Sequence, residues 1–521
     1  MDTIETLLHS LSSSDFRELE NSLAGRTAVK DRKDKALFDI LAADPPLVSD
    51  EAIRKLYRIP KKARIPENKR NSYHQWRSIL TGRIEDFIVQ HIGKEDLSLE
   101  IFKHLLLARH LMIKGLYESG FRYLSKAEEA TQKLRRYDLL HRIYSIQIEY
   151  AWTQPKLDMV SLIGKWKSNL ELEMKETHIN TALGVIKKRL KEVHREGQNL
   201  NAESLVKDTM QAYGVDIHSE QSGHTRYRIA LIILVLLQEK GDYQKSLEYL
   251  EEVYNSMEAD DQLAGKNDRL KTLMLSQLFR AALLSREYKA GEGYYQLLRK
   301  QTPDLDESPV YQFWAQMIIP IFLACTGRLK EALTHIHEVE NSKIAKLNMD
   351  NDDCFAALHS NLVFLHYMNK DLPAVQKYLA QVMNREKTVK QHQGYASILT
   401  VHLFDCMANI DKKEYDYVLT KAKAMRKRFH TFLMAAENAS YRNYFNLLLK
   451  LCSNRDWTQS SAYRSKAQDF IHRAKPVQGG GPYDLITFQS YILSKIDPQS
   501  YYSAFLKLVN PQGGKDIMQG L

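Results

Sequence analysis

The sequence predicts an all-α fold: an array of helix pairs behind a helical N-terminal domain. Three observations carry that prediction. The first is a phrase that returns at a fixed interval, the mark of a repeat architecture. It is clearest at Tyr243, where a polar turn is followed at three, seven and ten residues by Ser246, Leu250 and Val253. It returns at Tyr288 (Gly291, Tyr295, Leu298), Leu329 (Ala332, Ile336, Val339), Leu372 (Val375, Leu379, Val382) and Tyr415 (Val418, Ala422, Met425), and weakly at Trp457 (Ser460, Arg464, Ala467). These markers lie 45, 41, 43, 43 and 42 residues apart. The second observation is the offset itself: three, seven and ten place side chains on one face of an α-helix. Where the residue at three is small, another helix can come close. The third is composition. A chain of 521 residues exceeds one ordinary core. Its 22 glycines and 13 prolines fall below the usual share, and 44% hydrophobic content suits helices.

A turn, a bulky marker, a small residue three on, then apolar positions at seven and ten resembles the second helix of a tetratricopeptide repeat. That family repeats every 34 residues. Here the period is about 43, which adds roughly one turn to each helix of a pair. The resemblance implies a right-handed superhelical array whose first helices line a concave, peptide-holding face.

The first 95 residues do not follow the repeat. Thr3 to Leu11 reads as a short helix. Ser12-Ser13-Ser14-Asp15 supplies capping chemistry for a helix carrying Phe16, Leu19 and Leu23, ended by Gly25. Ala36 to Leu41 is a third helix, and Pro45-Pro46 breaks the chain. Ser49-Asp50-Glu51 opens a helix through Ile53, Leu56 and Tyr57. After Pro60 and Pro66, a longer amphipathic helix carries Tyr73, Trp76, Leu80, Ile84 and Phe87. Phe16, Leu37, Phe38, Leu56, Tyr57, Ser78, Leu80 and Glu85-Asp86-Phe87 make this region similar to the N-terminal part of large uncharacterised tetratricopeptide-like proteins of Bacteroidetes bacteria. That resemblance brings no activity with it.

Helix pairs are expected from Leu99. Tyr117 serves as a marker, with Gly120, Leu124 and Ala127 at its offsets. Weaker starts near Leu157 and Leu200 fill the interval to Tyr243, giving about nine units between 99 and 473. The expected division is a helical N-terminal domain over 1–95, the array over 96–475, and capping helices with a tail over 476–521. Within the last part, Gly479-Gly480-Gly481-Pro482 reads as a linker, and a helix near Leu485 to Ile496 covers the end of the array. The tail from Pro511 is polar.

No enzymatic constellation is found. The glycine triplet lacks the Lys-Ser/Thr ending of a phosphate loop. His335 and His337, two apart, point to different sides of a helix, so no metal site is read there. The Asp350-Asn351-Asp352-Asp353 run lacks the later glycine and glutamate of a calcium loop, and reads as solvated loop. Cys325, Cys354, Cys406 and Cys452 form no C-x-x-C pair and read as packed thiols. The expectation is no enzyme, no cofactor and no metal. The start MDTIETLLHSL has no basic n-region, and the most apolar run, Ile229 to Leu237, is only nine residues. Cytoplasmic location without membrane insertion follows as an expectation.

Two surfaces are candidates. Between Glu51 and Arg83 stand ten Lys/Arg against two acids, interleaved with Tyr57, Tyr73 and Trp76. Arg54, Lys55, Arg58, Lys61, Lys62, Arg64, Lys69 and Arg70 are the candidate contacts to a nucleic-acid backbone. A second basic run is Lys421, Lys423, Arg426, Lys427 and Arg428. In the concave face that the family resemblance implies, the candidates are Arg228, Arg280, Trp314, Ser360, Phe364, Tyr367 and Arg442. Arg and aromatic types dominate binding hot spots. The function read from the sequence is a protein-interaction scaffold holding a protein or peptide segment in that face. The alternative is a regulator whose basic N-terminal region binds nucleic acid while the repeats sense a partner.

Overall fold

The structure, a computed structural model, describes residues 4, 7–8, 11, 13–24, 33–43, 49–92, 97–196, 201–215, 223–259, 268–301, 309–349, 351–453, 460–473, 484–497 and 499–510. Of these, 88% are helical and none forms a strand. The chain divides into two compact units, Met1–Lys175 and Glu176–Leu521.

In the first unit, α1 (Ser13–Ala24), α2 (Lys33–Ala43), α3 (Ser49–Tyr57) and α4 (Glu67–Ile92) share one core. Leu19, Leu37, Phe38, Ile53, Tyr73, Leu80 and Ile84 fill it. The predicted helix at Thr3 to Leu11 falls largely outside the described residues, although Ile4, Leu8 and Leu11 are buried in this core. Gly25 and Pro45-Pro46 also lie outside. Next come α5 (Leu97–Ile113), α6 (Tyr117–Leu134) and α7 (Tyr137–Glu149), with a core of Ile101, Ala108, Met112, Leu124 and Ala127.

Helix α8 (Met159–Glu196) runs 38 residues without a break. Its early residues Leu162 and Trp166 pack with Leu140 and Tyr144 of α7. Its later residues Leu183, Ile186 and Leu190 pack with Val206 of α9 (Ala202–Ala212) and Ile232 of α10 (Gly223–Glu239). Helices therefore start close to Leu157 and Leu200, as the spacing predicts. The expected turn between them is absent because this stretch holds no proline and its glycines, Gly164 and Gly184, sit in open helix positions.

The remaining helices come mainly as pairs. They are α10 with α11 (Tyr243–Ala259), α12 (Asp268–Ser285) with α13 (Tyr288–Gln301), and α14 (Pro309–Cys325) with α15 (Leu329–Asn341). A short α16 (Lys343–Asn348) precedes α17 (Asp352–Met368) and α18 (Leu372–Asn384). Helix α19 (Glu386–Asp411) bends at Gly394, at φ +82°, and pairs with α20 (Tyr415–Arg428). The short α21 (His430–Met434) leads to α22 (Ala439–Ser453) and α23 (Ser461–Arg473). Two more helices, α24 (Asp484–Ile496) and α25 (Tyr501–Val509), pack on each other. No helix among the described residues is long and apolar enough to cross a membrane.

Each marker is the first residue of the second helix in its pair: Tyr117, Tyr243, Tyr288, Leu329, Leu372 and Tyr415. The turn before it is the same each time. Two residues upstream the backbone is left-handed, at Gly115, Gly241, Arg286, Gly327, Lys370 and Lys413. The amide of the next residue closes on the carbonyl five back, as in Asp242 to Leu237 (2.8 Å), Arg328 to Leu323 (2.8 Å) and Glu414 to Asn409 (2.9 Å). This is a Schellman closure, which satisfies carbonyls that the helix end would leave unpaired. The positions three, seven and ten beyond the marker are buried, as in Ala332, Ile336 and Val339, except Val253, which is half-buried. The last pair departs from the expected register. Trp457 lies outside the described residues, Arg464 is exposed, and Tyr463, Ala467 and Phe470 are the buried set. The marker there is Ser460, three residues on, because apolar side chains at its offsets win over an aromatic at the turn.

Small residues at offset three do allow close approach. A β-carbon on Gly291 would lie 2.8 Å from Phe322 Cε2, and that ring is fully buried against Phe279, Tyr288 and Tyr295. Gly293, two residues on, faces open space. The two glycines of α13 therefore respond to alanine with opposite signs. Gly293→Ala gains helix propensity and stabilises by about 1 kcal/mol. Gly291→Ala overpacks a closed ring cluster and destabilises by about 1–3 kcal/mol. Chemical denaturation of the two variants checks both signs.

A second test addresses the turns. A left-handed L-residue costs about 1–2 kcal/mol, part of which glycine returns through its freer unfolded chain. Lys413→Gly should then raise stability by about 0.5–1 kcal/mol, and a thermal melt reads it.

Candidate functional site

The candidate groove residues fall on the first helix of each pair, so their register is counted back from the marker. Positions 15 and 8 before the marker lie seven residues apart and share a face. At minus 15 stand Arg228, Leu273, Trp314, Ala357, Thr400 and Phe445, and at minus 8 stand Val235, Arg280, Ile321, Phe364, Met407 and Cys452. In the pairs marked by Tyr243, Tyr288 and Leu329, every one of these is exposed or half-buried. In the pairs marked by Tyr415 and Ser460 every one is buried, and in the pair marked by Leu372 Phe364 is buried while Ala357 is half-buried. The face thus changes from open to covered midway along the second unit.

What covers it is this chain's own C-terminal helix pair. Phe505 of α25 meets Phe364 edge-on at 5.5 Å, and Tyr501 meets Tyr367 at 4.9 Å. Phe488 of α24 stacks on Tyr444 of α22 at 4.3 Å and packs against Phe404 and Tyr441. Further along, Tyr502 donates to the Ala324 carbonyl (2.9 Å), and Arg286 and Tyr288 donate to the carbonyls of Leu508 and Val509. Helix α25 therefore runs back along the row of turns from the Leu372 pair to the Tyr288 pair. The sequence places a helix here to close the array's end; the structure shows the pair lying across several units.

Phe364 and Tyr367 are accordingly not free to meet a partner. They are 7% and 3% exposed, and the Tyr367 hydroxyl donates to Asp411 at 2.6 Å. Burial pushes the Tyr367 hydroxyl far above its ordinary pKa. Arg442 also leaves the set. Its guanidinium donates to the carbonyls of Leu433 and Met434 and pins α21. The reason is the register: 15 residues before Ser460 is Phe445, which is buried, whereas Arg442 is 15 before Trp457. Ser360 is half-buried at minus 12.

Arg228, Arg280 and Trp314 remain open. Trp314 is 39% exposed. Arg280 is exposed, and desolvation by the surrounding protein lowers its pKa. Lys187 of α8 stands near Arg228, and desolvation, then the Arg228 charge, lowers its pKa. None of these three cations has an ion pair with a carboxylate among the described residues.

Where α24 and α25 meet α19, a cavity of about 510 Å³ opens between Tyr367, Asp411, Tyr491, Lys495 and Tyr501. Asp411 is its polar centre. It accepts Lys495 Nζ (2.6 Å), the Tyr367 hydroxyl (2.6 Å) and the Tyr491 hydroxyl (3.4 Å).

The basic segment in the first unit is partly structural. Arg54 donates to the carbonyls of Pro60 and Ala63 at 2.7 and 2.8 Å. Arg70 pairs with Asp50 at 3.0 Å, and Lys69 lies over the Tyr57 ring. Lys55 is exposed. Tyr73 is buried and Tyr57 and Trp76 pack on the same core, so these aromatics form no stacking platform. Arg58, Lys61, Lys62 and Arg64 are exposed. In the other basic run, Lys421 pairs with Asp405 and Arg428 with Glu386. The Asp350 run is a helix start: Asn351 caps α17 by accepting the amides of Asp353 and Cys354. All four cysteines are buried thiols outside any disulfide.

Compared with known proteins, the chain matches no protein-family model, no curated protein and no solved structure.

Asp411 ties the covering helices to α19, so its removal should loosen them selectively. Asp411→Ala leaves two tyrosine hydroxyls and Lys495 without their acceptor, at a cost of about 1–3 kcal/mol for unmet buried groups. Hydrogen exchange should rise across 484–509 and stay unchanged in α10 and α11.

Proposed function

We propose that this protein is an interaction scaffold that holds an acidic segment of a partner protein on the open half of its first-helix face. In this reading the helix pairs are successive units of a tetratricopeptide-like, right-handed superhelical array in the cytoplasm. One observation carries the proposal: the same face, in the same register, is filled by an amphipathic helix over the later pairs and left open over the earlier ones. A surface that binds a helix in cis has the shape and apolar lining to bind another segment. Its charge selects the occupant, since Arg228, Arg280 and Lys187 present positive charge with no carboxylate among the described residues to neutralise it. Arg and Trp are the side chains most enriched in binding hot spots.

The test uses the partner recovered by affinity capture with the full chain. The double substitution Arg280→Ala/Trp314→Ala should weaken its binding by at least about 2 kcal/mol. Charge reversal at Lys61, Lys62 and Arg64 should leave it almost unchanged, because exposed charges away from an interface contribute little. The nucleic-acid reading predicts the opposite pattern, with retention on DNA or RNA that falls steeply as salt is added. Loss in the charge-reversal variant alone would end the scaffold proposal.

A further inference from the structure

His337 of α15 and His366 of α17 meet at their ring edges. Their Nε2 atoms are 3.2 Å apart and their centroids 5.1 Å apart, with the rings inclined at 63°. Each ring is held from behind by a carboxylate. His366 Nδ1 contacts Asp371 Oδ2 at 3.2 Å, and His337 Nδ1 contacts Glu340 Oε2 at 3.0 Å. Both carboxylates are fixed in turn: Asp371 caps α18 by accepting the Ala374 amide, and Glu340 accepts the Tyr378 hydroxyl.

The proton count of this chain is decisive. An ionised carboxylate only accepts, so each Nδ1 must carry a hydrogen and donate. A neutral ring with its hydrogen on Nδ1 has a bare lone pair on Nε2. Two such lone pairs then face each other at 3.2 Å, an arrangement that needs a cation shared between them. Ring geometry distinguishes the two kinds of cation. A straight N–H···N bond of this length would set the centroids about 5.5 Å apart. Two imidazoles on one tetrahedral ion, each bonded at about 2.05 Å, put the nitrogens about 3.3 Å and the centroids about 5.2 Å apart. The observed pair follows the second pattern. A histidine whose far nitrogen donates to a carboxylate is also the usual outer support of a metal ligand.

We propose that His337 and His366 bind a divalent first-row transition ion, with zinc as the reference ion, through their Nε2 atoms. Asp371 and Glu340 act as positioning residues that set the tautomers. Among the described residues no group of three or more His, Cys, Asp or Glu side chains converges on one point, so the protein supplies two ligands. The remaining positions go to water or to a donor on a partner. His337, with a side chain 39% exposed, leaves them reachable from solvent.

The experiment takes the full chain, stripped with chelator, and titrates it with zinc chloride by calorimetry. Copper(II) then serves as a spectroscopic probe by electron paramagnetic resonance. One tight site per chain is expected, with two equatorial nitrogens in the copper spectrum. His337→Ala, at a half-exposed position, should remove that site and the two-nitrogen signature. Glu340→Gln should weaken zinc binding at least tenfold, whereas His430→Ala, on an exposed histidine elsewhere, should change nothing. Zinc affinity undiminished in His337→Ala would overturn the assignment. So would nitrogen NMR of the zinc-loaded chain showing a hydrogen on either Nε2.

Discussion

The second unit depends on how the chain reverses between the two helices of a pair. At each reversal one residue enters the left-handed region, and the following amide reaches back five residues to close the first helix. That closure sets where the second helix begins and which of its faces turns inward. A residue three positions later then meets a neighbouring helix, and only a small or branched side chain fits. Gly291 against Phe322 is a tight case, and Ser246 and Ala332 are buried at the same position. The turn and the offset pattern are therefore one constraint expressed at two places. Lys and Arg occupy three of these turn positions in this unit, so the reversal is imposed by packing and not left to glycine alone.

This is why so much of the fold was legible in the sequence. Markers, small residues and apolar offsets are local, and each lies within one helix and the turn before it. Reading failed where the signal was ambiguous or distant. Trp457 reads as a marker because tyrosines occupy four others, but the helix register follows burial, and Tyr463, Ala467 and Phe470 set it three residues on. The starts near Leu157 and Leu200 do not reveal that α8 fills the whole interval between them, because spacing records where helices begin and not whether the one before has stopped.

The site was less legible, and for a physical reason. Register alone places Arg228, Arg280 and Trp314 on the first-helix face, where they are exposed or half-buried. That Phe364 and Tyr367 are covered depends on Phe505 and Tyr501, which lie more than a hundred residues away in sequence. Nothing local announces such a contact. The same holds for His337, whose neighbour in sequence, His335, points elsewhere, while His366 sits on another helix. Nor does a count of charges reveal which are spent: Arg54 and Arg70 hold their own segment together, whereas Arg280 has no acid beside it.

Helix α25 has a further consequence, for the order of assembly. Pairs of neighbouring helices close short loops and can form as soon as their residues are available. The bonds from Arg286 and Tyr288 to Leu508 and Val509 close loops of 222 and 221 residues. During synthesis these contacts come last, so the first-helix face stays bare from the Leu372 pair onward until residue 509 has been made. Once docked, the same contacts bind the Tyr288, Leu329, Leu372 and Tyr415 pairs into one cooperative block. A chain built of neighbour-to-neighbour contacts thereby acquires a clasp, and the clasped pairs unfold as a single piece while the pair at Tyr243, packed against α8 and α9, stays outside it.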